Sequence, residues 1–237
     1  MNPLCVVSDR LRVKAMRPGG IAYDLGANDG VMALSMAHAG MMVHAYEPVP
    51  DQYQKLIAAA ASPIPAPGRI IPHHSAVSDQ HGFLIGVNVF NTWSLLPDDT
   101  KRDKALDYAG KPPFNCVVTT LSSELSVSQH GPWISPPDFI KIDVDGFELR
   151  VLRGAEEAMV QWLDNAPPIQ FEYSYLPTFL EDSIPEMVSL IYELGYQAYS
   201  MDGSFMCPEP GDMLRWYPEH TSFDIMLIHR NNRSILD

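Results

Sequence analysis

Ile21-Ala22-Tyr23-Asp24-Leu25-Gly26-Ala27-Asn28-Asp29-Gly30 is the stretch that decides the fold. A short apolar run reaches Leu25, two glycines bracket a polar turn, and 31–39 continues with apolar residues at helical spacing. The stretch therefore reads as a strand that turns tightly into a helix. Gly26 and Gly30 let the backbone pass close to a ligand with no Cβ in the way, and the helix that follows points free N–H groups at it. A dinucleotide fingerprint needs G-x-G-x-x-G, so the missing middle glycine disfavours a nicotinamide dehydrogenase. The turn carries two carboxylates instead, Asp24 and Asp29, which would repel a pyrophosphate and suit a ligand bearing an ammonium or sulfonium. Asn28 and Asp29 are also ordinary helix-capping types, and a plain βα turn is the competing reading of this element by itself.

Outward from this turn the same alternation repeats. Residues 42–46 form a second strand ending at Glu47-Pro48, 51–61 is an Ala-rich helix, and 69–73 is a third strand. Residues 139–142 are apolar and close on Asp143-Val144-Asp145-Gly146, after which Val151, Leu152, Ala155, Ala158, Met159 and Trp162 recur at helical spacing. Strand 169–171 ends at Glu172, helix 184–194 stops at Gly195, and 197–201 and 223–229 read as the last two strands. Seven strands with interposed helices predict an α/β protein with a Rossmann-like, doubly wound, mostly parallel sheet. One domain is expected over 1–237, with 1–20 as an N-terminal extension. Residues 83–137, with proline pairs Pro112-Pro113 and Pro136-Pro137, read as an inserted segment of strands and loops at the sheet's edge or mouth.

Sixteen Lys and Arg stand against 29 Asp and Glu, a formal charge of −13, which argues against nucleic acid as a partner because phosphate binding needs clustered basic residues. Ten of the acidic residues fall between Pro168 and Asp224 with only Arg215 opposing them, and the simplest reading of those outside a site is a solvated face. Cys5, Cys116 and Cys207 have neither disulfide-framework nor metal-ligand spacing. A cytoplasmic protein is expected, with no membrane span, since the most apolar stretch at 31–43 is too short for a bilayer, and with no signal peptide at the start.

Glu47 ends the second strand some twenty residues after the glycine turn, where an acidic side chain in nucleotide folds takes both ribose hydroxyls on its two oxygens. With the turn, it implies an adenosyl group across the strand ends and a charged tail over Gly26. A third signal is Ile140-Lys141-Ile142-Asp143-Val144-Asp145-Gly146-Phe147-Glu148, followed by Leu152-Arg153-Gly154-Ala155. These blocks resemble those of the FkbM-type methyltransferases, a family of class I S-adenosylmethionine (SAM)-dependent enzymes that act largely on hydroxyl oxygens. The resemblance runs from about residue 21 to residue 230 and takes in Ser75-Ala76-Val77-Ser78-Asp79. Two departures stand out: Asp145 occupies a position that is usually Glu, and Thr120-Leu121-Ser122 lacks the Asp that usually follows Thr-Leu.

The resemblance implies the class I methyltransferase fold, with SAM as cofactor, S-adenosylhomocysteine as product, and a small-molecule or glycan acceptor. It implies a cofactor resting on Asp24, Gly26, Ala27, Asn28, Asp29, Gly30, Glu47, Pro48, Ala76, Val77 and Asp143. Methyl transfer from a sulfonium requires an aligned acceptor and a group to take its proton. Asp143 is the first candidate and Glu172 the second, since both end neighbouring strands. Lys141, two residues before Asp143, is either the charge partner of a catalytic carboxylate or a structural ion pair. Asp143, Asp145, Glu148 and Glu172 also allow a divalent-metal reading, against which Glu148 sits where a helix N-terminus favours negative charge. His73 could serve the site or be structural, and Trp93, Trp133, Tyr175 and Phe179 could roof an acceptor pocket or simply pack. N-methylation of a small amine and a non-catalytic nucleotide-binding partner are the alternatives to O-methylation.

Overall fold

The computed structural model describes residues 10–89, 92–96, 113–129, 135–174, 184–204, 206–216 and 222–236. Strands β1 (Ile21–Leu25), β2 (Met42–Tyr46) and β3 (Arg69–His73) pair in parallel in that order. On the other side of β1 lie β8 (Phe139–Ile142) and β9 (Ile169–Ser174), again parallel. All four residues of β8 are buried, as expected of a strand covered on both faces, whose sequence has no need to alternate. Beyond β9, β12 (Ser222–His229) runs antiparallel, then β10 (Tyr196–Ser200) and β11 (Met206–Cys207) complete the order β11-β10-β12-β9-β8-β1-β2-β3.

All seven strands expected from the sequence lie in this sheet. It holds an eighth, β11, whose two residues are too short to show any periodicity. The chain leaves β1 toward β2 and β3 and returns to β8 on the opposite side. This reversal opens a crevice at the carboxyl ends of β1 and β8, the usual ligand position in such sheets.

The helices cover both faces. Helix α1 (Arg10–Ala15) and α2 (Val31–His38) bury Leu11, Ala15, Ala33, Met36 and Ala37 in one core with Val43, Phe139 and Met226, joined by Leu56 of α3 (Pro50–Ala60). The other face holds α4 (Leu121–Gln129), α5 (Glu148–Trp162), α6 (Ile184–Glu193) and α7 (Pro210–Trp216). Helix α5 places Val151, Leu152, Ala155, Ala158, Met159 and Trp162 on the sheet; full burial of such side chains contributes about 1.5–3 kcal/mol for the larger ones. Gly154 lets α5 approach the strand-end backbone: a Cβ there would meet the Ser78 carbonyl oxygen at 1.9 Å.

The segment expected as an insertion at 83–137 supplies most of three strands of a separate four-stranded sheet, whose fourth strand, at 76–77, precedes it. The sheet's order is β4-β7-β5-β6, from β4 (Ala76–Val77), β5 (Gly82–Val89), β6 (Thr92–Leu96) and β7 (Phe114–Thr119). Ala76, Leu84, Cys116 and Val118 pack on Phe147, so this sheet closes on the loop that follows β8. No described helix is long and apolar enough to cross a membrane.

Candidate functional site

A cavity of about 730 Å³ opens at the carboxyl ends of the parallel strands. Gly26, Ala27, Asn28 and Asp29 line it from the turn after β1, and Tyr46, Glu47, Pro48 and Val49 from the end of β2. Ser75, Ala76, Val77 and Phe114 line it from the second sheet, and Lys141, Asp143, Asp145 and Phe147 from the segment at and after β8.

The turn is drawn in by the neighbouring strands. Gly26 and Ala27 both donate their N–H groups to the Tyr46 carbonyl (3.1 and 2.9 Å), and Asp143 N–H donates to Leu25 (3.1 Å). Gly26 has φ +81°, and a Cβ on it would lie 1.8 Å from the Asp143 carbonyl oxygen, so this position accepts glycine alone. Asp29 Oδ1 accepts the Val31 N–H (3.3 Å) at the first turn of α2.

Glu47 is 4% exposed, and its oxygens are held by backbone donors: Asn28 N–H to Oε2 and Val49 N–H to Oε1, each 2.8 Å. Burial pushes its carboxyl up to about 7, against the lowering effect of those two bonds. Each oxygen keeps a further lone pair, so the carboxylate is preorganised to accept two more hydrogen bonds.

Lys141 is buried in β8, with Nζ 3.0 Å from the Gly26 carbonyl oxygen, 3.1 Å from Asp143 Oδ2 and 3.3 Å from Asp24 Oδ1. Burial alone would lower its ammonium, but Asp24 and Asp143 outweigh that and hold it above the ordinary lysine range. Asp24, expected against the cofactor's charged tail, is wholly buried beside Lys141 and does not line the cavity. Burial raises its carboxyl, with Lys141 opposing. Its position on β1, paired with Lys141 in the strand register, turns it under the floor of the site.

Asp143 lines the cavity, whereas Glu172 does not. The register sets Asp224 of β12 opposite Glu172, and Asp224 with Gln170 lines the cavity at that edge. Glu148 is buried and holds the loop before it, accepting N–H bonds from Val144 (3.2 Å) and Gly146 (3.1 Å) on Oε1. Burial pushes Glu148 up to about 7 and Asp145 up to about 6. Among the described residues no three His, Cys, Asp or Glu side chains group as metal ligands. Gly30 follows the turn but is not on the cavity wall.

His73 stacks on Tyr46 at 4.3 Å and lies 3.2 Å from His44 Nδ1, beneath the site and not in its wall. Burial pushes the His44 imidazole down to about 4, a neutral packing role. Trp133, Tyr175 and Phe179 lie outside the described residues, and for Trp93 only its place in β6 is described. Gln170, Asp224, Arg12 and Phe114 reach the cavity without a sequence signal of their own, since only strand register and packing bring them there.

A doubly wound sheet with this order, a glycine turn after its first strand and a buried acid ending the second define a Rossmann-like nucleotide-binding fold. The sequence pattern of the methyltransferase FkbM domain matches residues 24–198, and the chain belongs to that family. It is 31% identical over 166 residues to 31-O-demethyl-FK506 methyltransferase FkbM of Streptomyces tacrolimicus, covering 60% of this chain and 62% of that one. It is 25% identical over 150 residues to hexuronic acid methyltransferase AglP of Haloferax volcanii, covering 63% of this chain and 56% of that one. The matched region thus spans less than two thirds of either relative. Among solved structures, it resembles methyltransferase FkbM from Methylobacillus flagellatus KT, with 16% identity, a TM-score of 0.48, and coverage of 89% of this chain and 44% of that one. It also resembles SAM-bound magnesium protoporphyrin IX methyltransferase from Synechocystis PCC 6803, with 8% identity, a TM-score of 0.47, and coverage of 95% and 76%.

Proposed function

We propose that the protein transfers a methyl group from SAM to a hydroxyl oxygen of a small molecule or sugar. The observation that carries this reading is Asp143, a carboxylate on the cavity wall fixed by buried Lys141 next to the Gly26 turn. The residues present fit the cofactor. Glu47 has two acceptor lone pairs for ribose hydroxyls, and Gly26, Ala27 and Asn28 leave backbone close to a charged tail. Ala76 and Val77 offer an apolar wall for an adenine. SAM supplies an electrophilic methyl on a sulfonium.

The chain's own contribution is to align the acceptor and receive its proton. Asp143 Oδ takes the hydroxyl proton as the oxygen attacks, and Lys141 holds that carboxylate in place from below. Phe114 and Phe147 keep water from the wall beside it. The two curated relatives, a demethyl-FK506 methyltransferase and a hexuronic acid methyltransferase, support a small-molecule or sugar acceptor. The test is turnover with SAM across hydroxyl-bearing glycosides and polyketides, read as a mass gain of one methylene. Asp143→Asn should keep SAM affinity within a few-fold and lower kcat by roughly 10²–10⁴. Products confined to amines, or an undiminished rate in the variant, would sink the proposal. N-methylation is the second reading, favoured by a wall that carries Asp29, Glu47, Asp143, Asp145 and Asp224 and would attract a cationic amine.

A further inference from the structure

Gln170 is the second residue of β9 and is 2% exposed. Its Nε2 donates to Asp224 Oδ2 at 3.1 Å across the antiparallel pair, which fixes the orientation of the amide and leaves Oε1 as the atom still to be satisfied. Among the described residues Oε1 has no hydrogen-bond partner. The nearest buried cation in the register is Lys141, opposite Gln170 on β8. Its ammonium has three donors, and Gly26, Asp143 and Asp24 already surround it. A buried amide oxygen left without a donor is costly, and on a cavity wall a donor carried by a ligand would complete it. Both Gln170 and Asp224 line the cavity.

Their place along the sheet separates them from the cofactor's anchors. Gly26 and Glu47 follow β1 and β2, whereas Gln170 and Asp224 belong to β9 and β12, two and three strands from β1. At the usual strand spacing that is about 10 and about 14 Å. We propose that Gln170 Oε1 and the Asp224 carboxylate form the acceptor subsite and receive hydrogen-bond donors, hydroxyl or ammonium, carried by the acceptor. Both groups are acceptors, so an anionic carboxylate or phosphate is rejected there, and a polyol or an amine is selected. The inference rests on reading the cavity as a methyl-transfer site, and it adds what holds the acceptor and which chemistry it must present.

Two probes test this without knowledge of the acceptor. S-adenosylhomocysteine fills the cofactor site and stops at sulfur. Sinefungin carries an ammonium at the position of the transferable methyl, and its N–H groups point where the acceptor atom sits. Calorimetry on the wild type, Gln170→Met and Asp224→Asn should show S-adenosylhomocysteine affinity unchanged within twofold. The preference for sinefungin over S-adenosylhomocysteine should fall roughly tenfold or more in each variant, the size of one hydrogen bond to a charged group. Retained S-adenosylhomocysteine binding shows that each variant folds. Equal weakening of both probes would place the pair on the cofactor's own ammonium and overturn the assignment, as would an unchanged preference. Failure of the wild type to bind S-adenosylhomocysteine would instead overturn the methyl-transfer reading itself.

Discussion

Replacing Lys141 with Met removes an ammonium that lies 3.3 Å from Asp24 Oδ1, 3.1 Å from Asp143 Oδ2 and 3.0 Å from the Gly26 carbonyl oxygen. Asp143 can turn to water, its side chain being 38% exposed, but Asp24 cannot, at 0%. Breaking a buried pair by removing one partner costs about 3–5 kcal/mol, because the remaining charge is stranded. At 2–4 °C per kcal/mol for a chain of this size, the melting temperature should fall by about 6–20 °C. Burial already raises the Asp24 carboxyl, and without Lys141 to oppose it the group rises further and takes up a proton on folding. A raised folded value means stability that is complete below the ordinary value of 3.8 and lost as pH rises through the folded one. The deficit of Lys141→Met should therefore widen with pH. Asp24→Asn in the same chain should restore most of the loss, since the amide carries no charge to strand. Denaturant unfolding of the four members of this cycle at several pH values measures it. A Lys141→Met deficit under about 1 kcal/mol, or no recovery in the double variant, would mean that the buried charge pair under the turn does not hold the site together.

Three further outcomes are expected. Glu47→Gln sets an amide N–H₂ against the Asn28 or Val49 N–H and removes the charge from the proposed ribose contacts, so SAM should bind about 100-fold more weakly by calorimetry. Glu47, Asp145 and Glu148 are all raised by burial, to about 7, 6 and 7. Each contributes stability that is complete below its ordinary value and lost as pH rises through the raised one. The ligand-free melting temperature should accordingly fall between about pH 5 and about pH 8, while SAM affinity rises through about 7 as Glu47 ionises. Gly154→Ala would add about 1 kcal/mol to an ordinary helix, but here it should destabilise, because the new Cβ meets the Ser78 carbonyl oxygen at 1.9 Å. An increase in melting temperature would contradict the close approach of α5.

Much of the fold was legible because its signals are local. The apolar run to Leu25, the glycines after it and the helical spacing from 148 onward each report a backbone preference that neighbouring residues decide, and the seven expected strands all form. Glu47 could be picked out for the same reason, as an acid at a strand end a set distance from a glycine turn. The eighth strand and the second sheet were less legible. Two residues at 206–207 carry no period, and strands β5 to β7 are recognised by their partners more than by their own pattern.

By itself, the sequence determined where the chain turns, which strand ends carry carboxylates and which family it joins. Tertiary structure decided what those carboxylates do. Asp24 and Asp143 lie on the same face of adjacent strands and both touch Lys141, yet one is buried and the other lines the cavity, because Asp24 lies within its strand level with Lys141 whereas Asp143 lies two residues further along, past the end of β8. Glu172 was the expected second acid, but antiparallel pairing with β12 brings Asp224 and Gln170 to the cavity's edge. Side-chain direction and strand register are properties of the assembled sheet, and no short stretch of sequence encodes a contact between residues 54 positions apart.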